Sequence, residues 1–248
     1  MSLARFLVEP GALAGLGPRS PFVLDGDEGR HAAAVRRVRA GETVDLADGA
    51  GTVARCTVVA AARASLDLLV DDVSSVPRAA VRFGLVQALA KGGRDEQAVE
   101  TATEVGVDAV VPWQAGRSVS RWEGEKLAKG RARWQATARE AAKQSRRAWV
   151  PLVEEPLTTS GLCARLAVAD VALVLHEEAT ESLVSVDLPV SGEVLVLVGP
   201  EGGIGADELD QLRAAGARPV RLGAEVLRTS SAGPVALAWL SAATGRWA

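Results

Sequence analysis

"LVLVGPEGGIGADELDQL", residues 195–212, is the stretch on which the reading of this chain turns. Its first four residues are apolar and stop at a glycine, the pattern of a buried strand. "GPEGGIG" is a loop, and "ADELDQL" carries acids in the first turn of a helix. Strand, glycine loop and helix in this order usually hold a ligand against backbone amides. Spacing narrows the choice. Gly199, Gly202, Gly203 and Gly205 miss the G-x-G-x-x-G fingerprint of dinucleotide sites. No lysine follows them, as a P-loop requires. A nucleotide-dependent oxidoreductase is opposed by that spacing. An ordinary βα turn, with glycines for close passage of the backbone, remains open.

Outward from this stretch the pattern repeats. "RLGAEVLRTSSAGPVALAWL", 221–240, ends a strand at Leu222-Gly223 and leads through Arg228-Thr229 into a last helix. Gly233-Pro234 predicts that this helix begins one turn late, spanning 232–244, because proline is tolerated only in a first turn. A third strand ends in "LVLHEE", 173–178. Three strand ends at one carboxyl edge are where α/β proteins bind ligands. Further upstream, strands at 81–89 and 107–112 alternate with helices at 94–106 and 123–147. "VPLVEE" reads as a strand and "GLCARLA" as a helix. This alternation predicts an α/β fold with a mostly parallel sheet. Residues 1–72 differ: "ETVDLADG" and "GTVARCTVVAA" form a hairpin pattern around an Asp-Gly turn. "EGRHAAAVRRV" is a helix among strands. A small β-barrel is expected there, then a connector at 73–77 and a second domain over 78–248.

With 248 residues, 48% of them hydrophobic, the chain can bury a substantial core. Its apolar runs are too short to cross a bilayer, and "MSLARFLVEP" lacks a secretory pattern. A cytoplasmic protein with two reduced, buried thiols, Cys56 and Cys163, is expected. No metal-ligand spacing is present. The net charge of −3 argues against nucleic acid, but its distribution reverses the argument. Residues 117–147 hold ten basic and three acidic side chains, and 154–210 hold one basic and twelve acidic. A second basic cluster is "RHAAAVRRVRAG", 30–41. Each alone reads as a solvated face; together they suit phosphate.

"LVGPEGG" followed by "LGAEVLRT" strongly resembles the SPOUT methyltransferases, and within them the ribosomal RNA small subunit methyltransferase E family. "HAAAVRRVRAGETVDLADG" is similar to that family's PUA-like RNA-binding segment. "ALAKGGRDEQAVETATEVGVDAVVP" resembles the opening of its catalytic domain, and "AAKQSRRAWVP" its glutamine–arginine–proline segment. The resemblance covers nearly the whole chain. It implies a parallel sheet with a C-terminal trefoil knot, and S-adenosyl-L-methionine as cofactor. It also implies methylation of N3 of a uridine in 16S rRNA of the small ribosomal subunit, by a homodimer without metal or membrane.

The resemblance places the cofactor among Leu175, His176, Val198, Gly199, Pro200, Gly202, Gly203, Leu222, Gly223, Val226, Leu227, Arg228 and Thr229. Adenine, flat and apolar with polar edges, suits Leu222, Val226 and Leu227. Arg228 is a candidate to stabilise a developing uracil anion, or else a brace on backbone carbonyls. Glu201 is a candidate base, or else caps the following turn. Arg5, His31, Arg36, Arg37, Arg39, Lys91, Arg94, Gln144 and Arg147 are expected to meet RNA. Trp122, Trp134 and Trp149 are expected to pack, within the fold or between subunits. Family members often carry Thr-Glu-Thr where this chain has Thr229-Ser230-Ser231. That departure leaves a catalytically inactive RNA-binding or ribosome-assembly module as an alternative.

Overall fold

The computed structural model describes residues 3–247. The chain forms two compact units, Met1–Arg78 with Ala142–Val150, and Ala79–Ala141 with Pro151–Ala248.

The first unit is a mixed five-stranded sheet. Its strands are β1 (Ala4–Leu7), β2 (Pro21–Leu24), β3 (Thr43–Ala47), β4 (Thr52–Ala61) and β5 (Leu66–Ser75), in the order β1-β3-β4-β5-β2. Only β1 and β3 are parallel. The period-2 pattern places Leu66, Leu68 and Val70 of β5 on a core with Phe6, Leu24, Leu46 and Cys56. Register shifts between Arg55 and Cys56 and between Val58 and Ala60 bend β4 around that core. Burial, then the nearby Asp71 and Asp45, push the Cys56 thiol up to about 11, so it stays a protonated packing group. Cys163, also free, is half-buried rather than buried. The expected helix is present as α1 (Gly26–Arg30) running into a π-helical turn, His31–Val35.

The β3–β4 hairpin turns as its Asp-Gly signal predicts. The Asp48 carboxylate accepts from the amides of Ala50 and Thr52 at 2.8 and 2.9 Å. Glycine is required at Gly51 on two grounds: its φ is +98°, and a Cβ there would lie 2.3 Å from the Trp149 indole. Trp149 donates to the Val76 carbonyl at 2.9 Å, and the Arg78 guanidinium stacks on it. Two features here differ from the sequence reading. Strand β5 runs through Ser75, where a connector was expected from 73, because the ten-residue β4 offers it partners up to Thr52. Residues 142–150 pack with this unit, through backbone hydrogen bonds from Gly51 to Ala148 and from Val150 to Gly49. No local pattern signals such a return.

The second unit follows the expected alternation. Its elements are β6 (Val81–Ala88), α2 (Arg94–Glu104), β7 (Ala109–Gln114), α3 (Glu125–Gln144), β8 (Leu152–Val153) and β9 (Leu157–Thr158). Then come α4 (Thr159–Leu166), β10 (Val171–Leu175), β11 (Gly192–Val198), α5 (Ala206–Ala214), β12 (Arg218–Val220) and α6 (Thr229–Ala243). The last three residues of α3 are counted with the first unit. The sheet is parallel throughout, in the order β12-β10-β11-β6-β7-β8, with β9 also on β7. The run "VLVLV" is apolar on both sides because both faces are covered. Val194, Val196 and Val198 face a core with α2, α3 and α6, and Leu195 and Leu197 face one with α4 and α5. Trp122 and Trp134 are buried and meet edge to face at 5.2 Å, as packing residues do.

The final helix corrects the expectation of a late start. It begins at Thr229 and carries Pro234 inside it. Proline there leaves the Ser230 carbonyl without its helical donor. Tertiary packing outweighs that cost. Gly233 lets α6 lie against the sheet, since a Cβ there would sit 2.7 Å from Leu85 Cδ1 and 3.3 Å from Val198 Cγ2. Beyond the helix, Arg246 pairs at 2.7 Å with Asp108, the residue before β7. Among the described residues, no helix is long and apolar enough to cross a membrane.

Candidate active site and nucleic-acid interface

The carboxyl ends of β10, β11 and β12 open onto a cleft of about 450 Å³, a volume typical of small-molecule sites. The loops that line it were expected to do so. Leu175, His176, Val198, Gly199, Pro200, Gly203, Leu222, Gly223, Val226, Leu227, Arg228 and Thr229 all face the cleft. Gly202 is the exception. It turns away, and its carbonyl accepts from Arg117 at 3.2 Å. The glycines serve different ends. Gly199 makes room for Ile204, whose Cγ1 would lie 2.7 Å from a Cβ there. Gly203 takes φ +70°, which disfavours any side chain. Only the Glu225 carboxylate lies near a Cβ built at Gly223, at 3.6 Å, so there the missing side chain is space in the cleft.

The polar groups are arranged by the backbone. His176 Nδ1 accepts from the Glu178 amide at 3.2 Å, leaving Nε2 to donate. Glu201 neither caps the following turn nor stands free as a base. It accepts from Arg94 at 3.0 Å and from the Lys91 amide at 3.4 Å, so it ties the loop after β6 to the loop after β11. Burial pulls its carboxyl upward, but hydrogen bonds from its own amide, Arg94 and Lys91 outweigh this. The net value lies below the ordinary 4.5, which makes a weak base. The sign for stability follows. The unfolded chain binds this proton more readily, so the contribution is present above the ordinary value and is lost as pH falls through the lowered one. The melting-temperature gap between the parent and Glu201→Gln should therefore be open at neutral pH and close below about 4.5. A gap of unchanged size in acid would contradict this role.

Arg228 stands at the start of α6 and lines the cleft. Its side chain makes no hydrogen bond or ion pair among the described residues, so it does not brace carbonyls. Among the described residues, no group of three or more His, Cys, Asp or Glu side chains could hold a metal ion.

A separate cationic hollow lies within the first unit. Four residues expected to meet RNA, Arg5, His31, Arg36 and Gln144, line it together with Lys143 and Arg146. Arg5 is fixed by Asp45 at 3.1 Å and by the Arg146 carbonyl. Lys143 is held by Glu28 at 2.5 Å, and the Phe6 ring meets His31 edge-on at 6.2 Å. Arg146 has φ +57°, at the end of α3 where glycine is usual. Such strain is common at functional positions. Arg37, Arg39 and Arg147 do not line the hollow. Lys91 is exposed, and Arg94 faces the cleft at the ends of β10, β11 and β12 rather than this cluster.

A family model described as RNA methyltransferase domain matches residues 77–241, and one described as RNA methyltransferase PUA domain matches 24–71. A ribosomal RNA small subunit methyltransferase E from Mycobacterium bovis is 49% identical, over 91% of this chain and 87% of its own length. The Bacillus subtilis protein of that name is 30% identical, over 89% of each.

The chain belongs to the ribosomal RNA small subunit methyltransferase E family.

Solved structures agree. A Legionella pneumophila methyltransferase with bound SAM superposes with a TM-score of 0.85 at 27% identity, covering 98% of each chain. The methyltransferase E from Neisseria gonorrhoeae, bound to S-adenosyl methionine, gives 0.84 at 25% identity, again over 98% of each. Sequence reasoning missed several residues that line the cleft: Glu177, Ile204, Arg221, Ala224, Glu225 and Ala232. All six lie inside stretches quoted above, Glu177 in "LVLHEE", Ile204 in "GPEGGIG" and the others in 221–240, and the parallel pairing of β10 with β12 could have drawn in Arg221. Lys143 lies in the last turn of the basic helix and Arg146 just beyond it, but nothing local separates them from the other cations there.

Proposed function

We propose that this chain transfers the methyl group of S-adenosyl-L-methionine to N3 of a uridine in 16S rRNA of the small ribosomal subunit. The observation that carries this reading is the convergence of "GPEGG", "LGAEVLRT" and the end of β10 on one cleft, in a chain of this family. The residues present fit the cofactor. Val198, Leu222, Val226 and Leu227 offer an apolar bed for a purine, and Glu177, Glu225 and Arg221 complement a molecule bearing both charge signs. The bound cofactor supplies an electrophilic sulfonium methyl. The chain's own task is to hold the two reactants in line and to favour loss of the N3 proton. Arg228, always charged and without a partner among the described residues, would face the uracil anion as it forms. Glu201, tied to Arg94, keeps the loop in place and does not take the proton. The family's C-terminal knot, a cytoplasmic setting and a homodimer belong to the same reading. Light scattering that gives one chain's mass at micromolar concentration would contradict the dimer.

The first unit would grip the RNA. Its hollow offers the exposed guanidiniums of Arg36 and Arg146 beside the anchored Arg5 and Lys143, a set suited to phosphate. Removing phosphate contacts flattens the dependence of affinity on salt, by about 0.7–0.9 in log–log slope per contact. Arg36→Ala with Arg146→Ala should flatten it more than Arg37→Ala with Arg39→Ala. Equal slopes in both double variants would show that the hollow is not the grip.

The whole reading is tested with radiolabelled S-adenosylmethionine and small ribosomal subunits lacking the modification. Label is expected in the rRNA. Cofactor binding without transfer would instead mark an inactive RNA-binding module.

A further inference from the structure

Behind the cleft lies a hydrogen-bonded chain that no part of the chemistry above uses. Gln87, at the end of β6, is fully buried. Its amide nitrogen donates both protons, to the Ala88 carbonyl at 3.1 Å and to the Thr229 hydroxyl at 2.9 Å. The Thr229 hydroxyl donates in turn to the Gly199 carbonyl at 2.8 Å. The direction is forced. The single hydroxyl proton of Thr229 goes to Gly199, so the hydroxyl must accept from Gln87. A flipped amide would also set two oxygens against each other at Ala88. The chain therefore ties the first residue of α6 to the first residue of the "GPEGG" loop and anchors that link to the end of β6. Both Thr229 and Gly199 line the cleft; Gln87 does not.

One detail separates this from ordinary packing. The Gln87 Oε1 atom is buried and has no hydrogen-bond partner among the described residues. A buried acceptor without a partner costs stability, and an apolar side chain of the same shape would avoid that cost. A residue that pays in stability while fixing two cleft walls fits a role in function better than one in folding.

We propose that Gln87 is a positioning residue for cofactor capture. It orients the Thr229 hydroxyl, which holds the Gly199 carbonyl and so sets the distance between the two loops that close on the cofactor. The inference rests on the assignment of S-adenosylmethionine to this cleft.

The test uses the full-length protein, with calorimetry for cofactor affinity and thermal melting for stability. Gln87→Met keeps the shape and removes the donors. It should weaken S-adenosylmethionine binding about tenfold, the upper end of what one hydrogen bond contributes. Its melting temperature should hold or rise, because the unpartnered oxygen is gone. Thr229→Val should weaken binding to a similar extent, and Thr229→Ser, which keeps the hydroxyl, should bind within about twofold of the parent. The double variant Gln87→Met/Thr229→Val should be no weaker than the worse single one, as expected for two links of one chain. A lowered melting temperature with unchanged affinity in Gln87→Met would overturn the proposal and leave a structural glutamine. If Gln87→Met does not fold, Thr229→Val against Thr229→Ser decides: equal affinities overturn it. Gly223→Trp, which fills the cleft itself, separates the two levels. If it abolishes binding while Gln87→Met and Thr229→Val leave it unchanged, positioning fails and the cleft assignment stands. If all three bind normally, the cleft assignment fails and the positioning role with it.

Discussion

Arg228→Ala is expected to slow methyl transfer by about a hundred- to a thousandfold while S-adenosylmethionine binds within a few-fold of the parent. Uracil N3 carries an imide proton, and its lone pair becomes nucleophilic as that proton leaves. Negative charge then spreads over the flanking carbonyl oxygens. A permanently charged guanidinium stabilises that anion and little else on the path, so its loss appears in the rate rather than in cofactor affinity. Arg228 meets the structural conditions. It lines the cleft, stands at the amino end of α6 where the helix dipole adds positive potential, and makes no side-chain bond among the described residues. Arg228→Lys keeps the charge without the fork and should recover part of the rate. Single-turnover rates at saturating cofactor, with calorimetry on the same samples, read both quantities. A rate within threefold of the parent would remove Arg228 from the chemistry.

The second large effect is expected at Gly223. Replacing it with tryptophan should weaken S-adenosylmethionine binding by about a hundredfold or more, close to 3 kcal/mol, and abolish transfer with it. The choice of glycine matters. Gly203 has φ +70°, so a side chain there strains the backbone before it meets any ligand. Gly199 is packed against Ile204, so a side chain there disturbs the loop. Gly223 has neither constraint. A bulky side chain can enter from it into the cleft while the strand behind keeps its place. An unchanged melting temperature with lost binding is the expected pair of results. Retained binding would place the cofactor elsewhere.

Much of this could be read in the sequence because the relevant signals are local. A strand covered on both faces must be apolar throughout, and "VLVLV" is. Glycines where strands turn into loops announce close backbone passage, and Gly199, directly after β11, and Gly223, three residues beyond β12, do line one cleft. The misreadings have a common cause. Whether Pro234 begins a helix or lies within one depends on what α6 packs against, and the fit of Gly233 on Leu85 and Val198 is invisible to any window of sequence. The packing of residues 142–150 with the first unit rests on hydrogen bonds with Val76, 73 residues back, and with Gly49 and Gly51, about a hundred residues back. Glu201 was a plausible base by type. Only its distance to Arg94 shows a carboxylate already committed. The Gln87 chain is the extreme case, since its members lie 142 and 30 residues apart.

The central claim is a uridine-N3 methyl transfer to small-subunit RNA, and the most direct measurement is the identity of the product. Small ribosomal subunits lacking the modification are incubated with the full-length protein and S-adenosylmethionine. The 16S rRNA is then digested to nucleosides and resolved by mass spectrometry against authentic standards. The expected product is 3-methyluridine, approaching one per particle, absent with Arg228→Ala on the same timescale and absent with Gly223→Trp altogether. A different methylated nucleoside, or none from a protein that binds the cofactor and the particle, would contradict that claim.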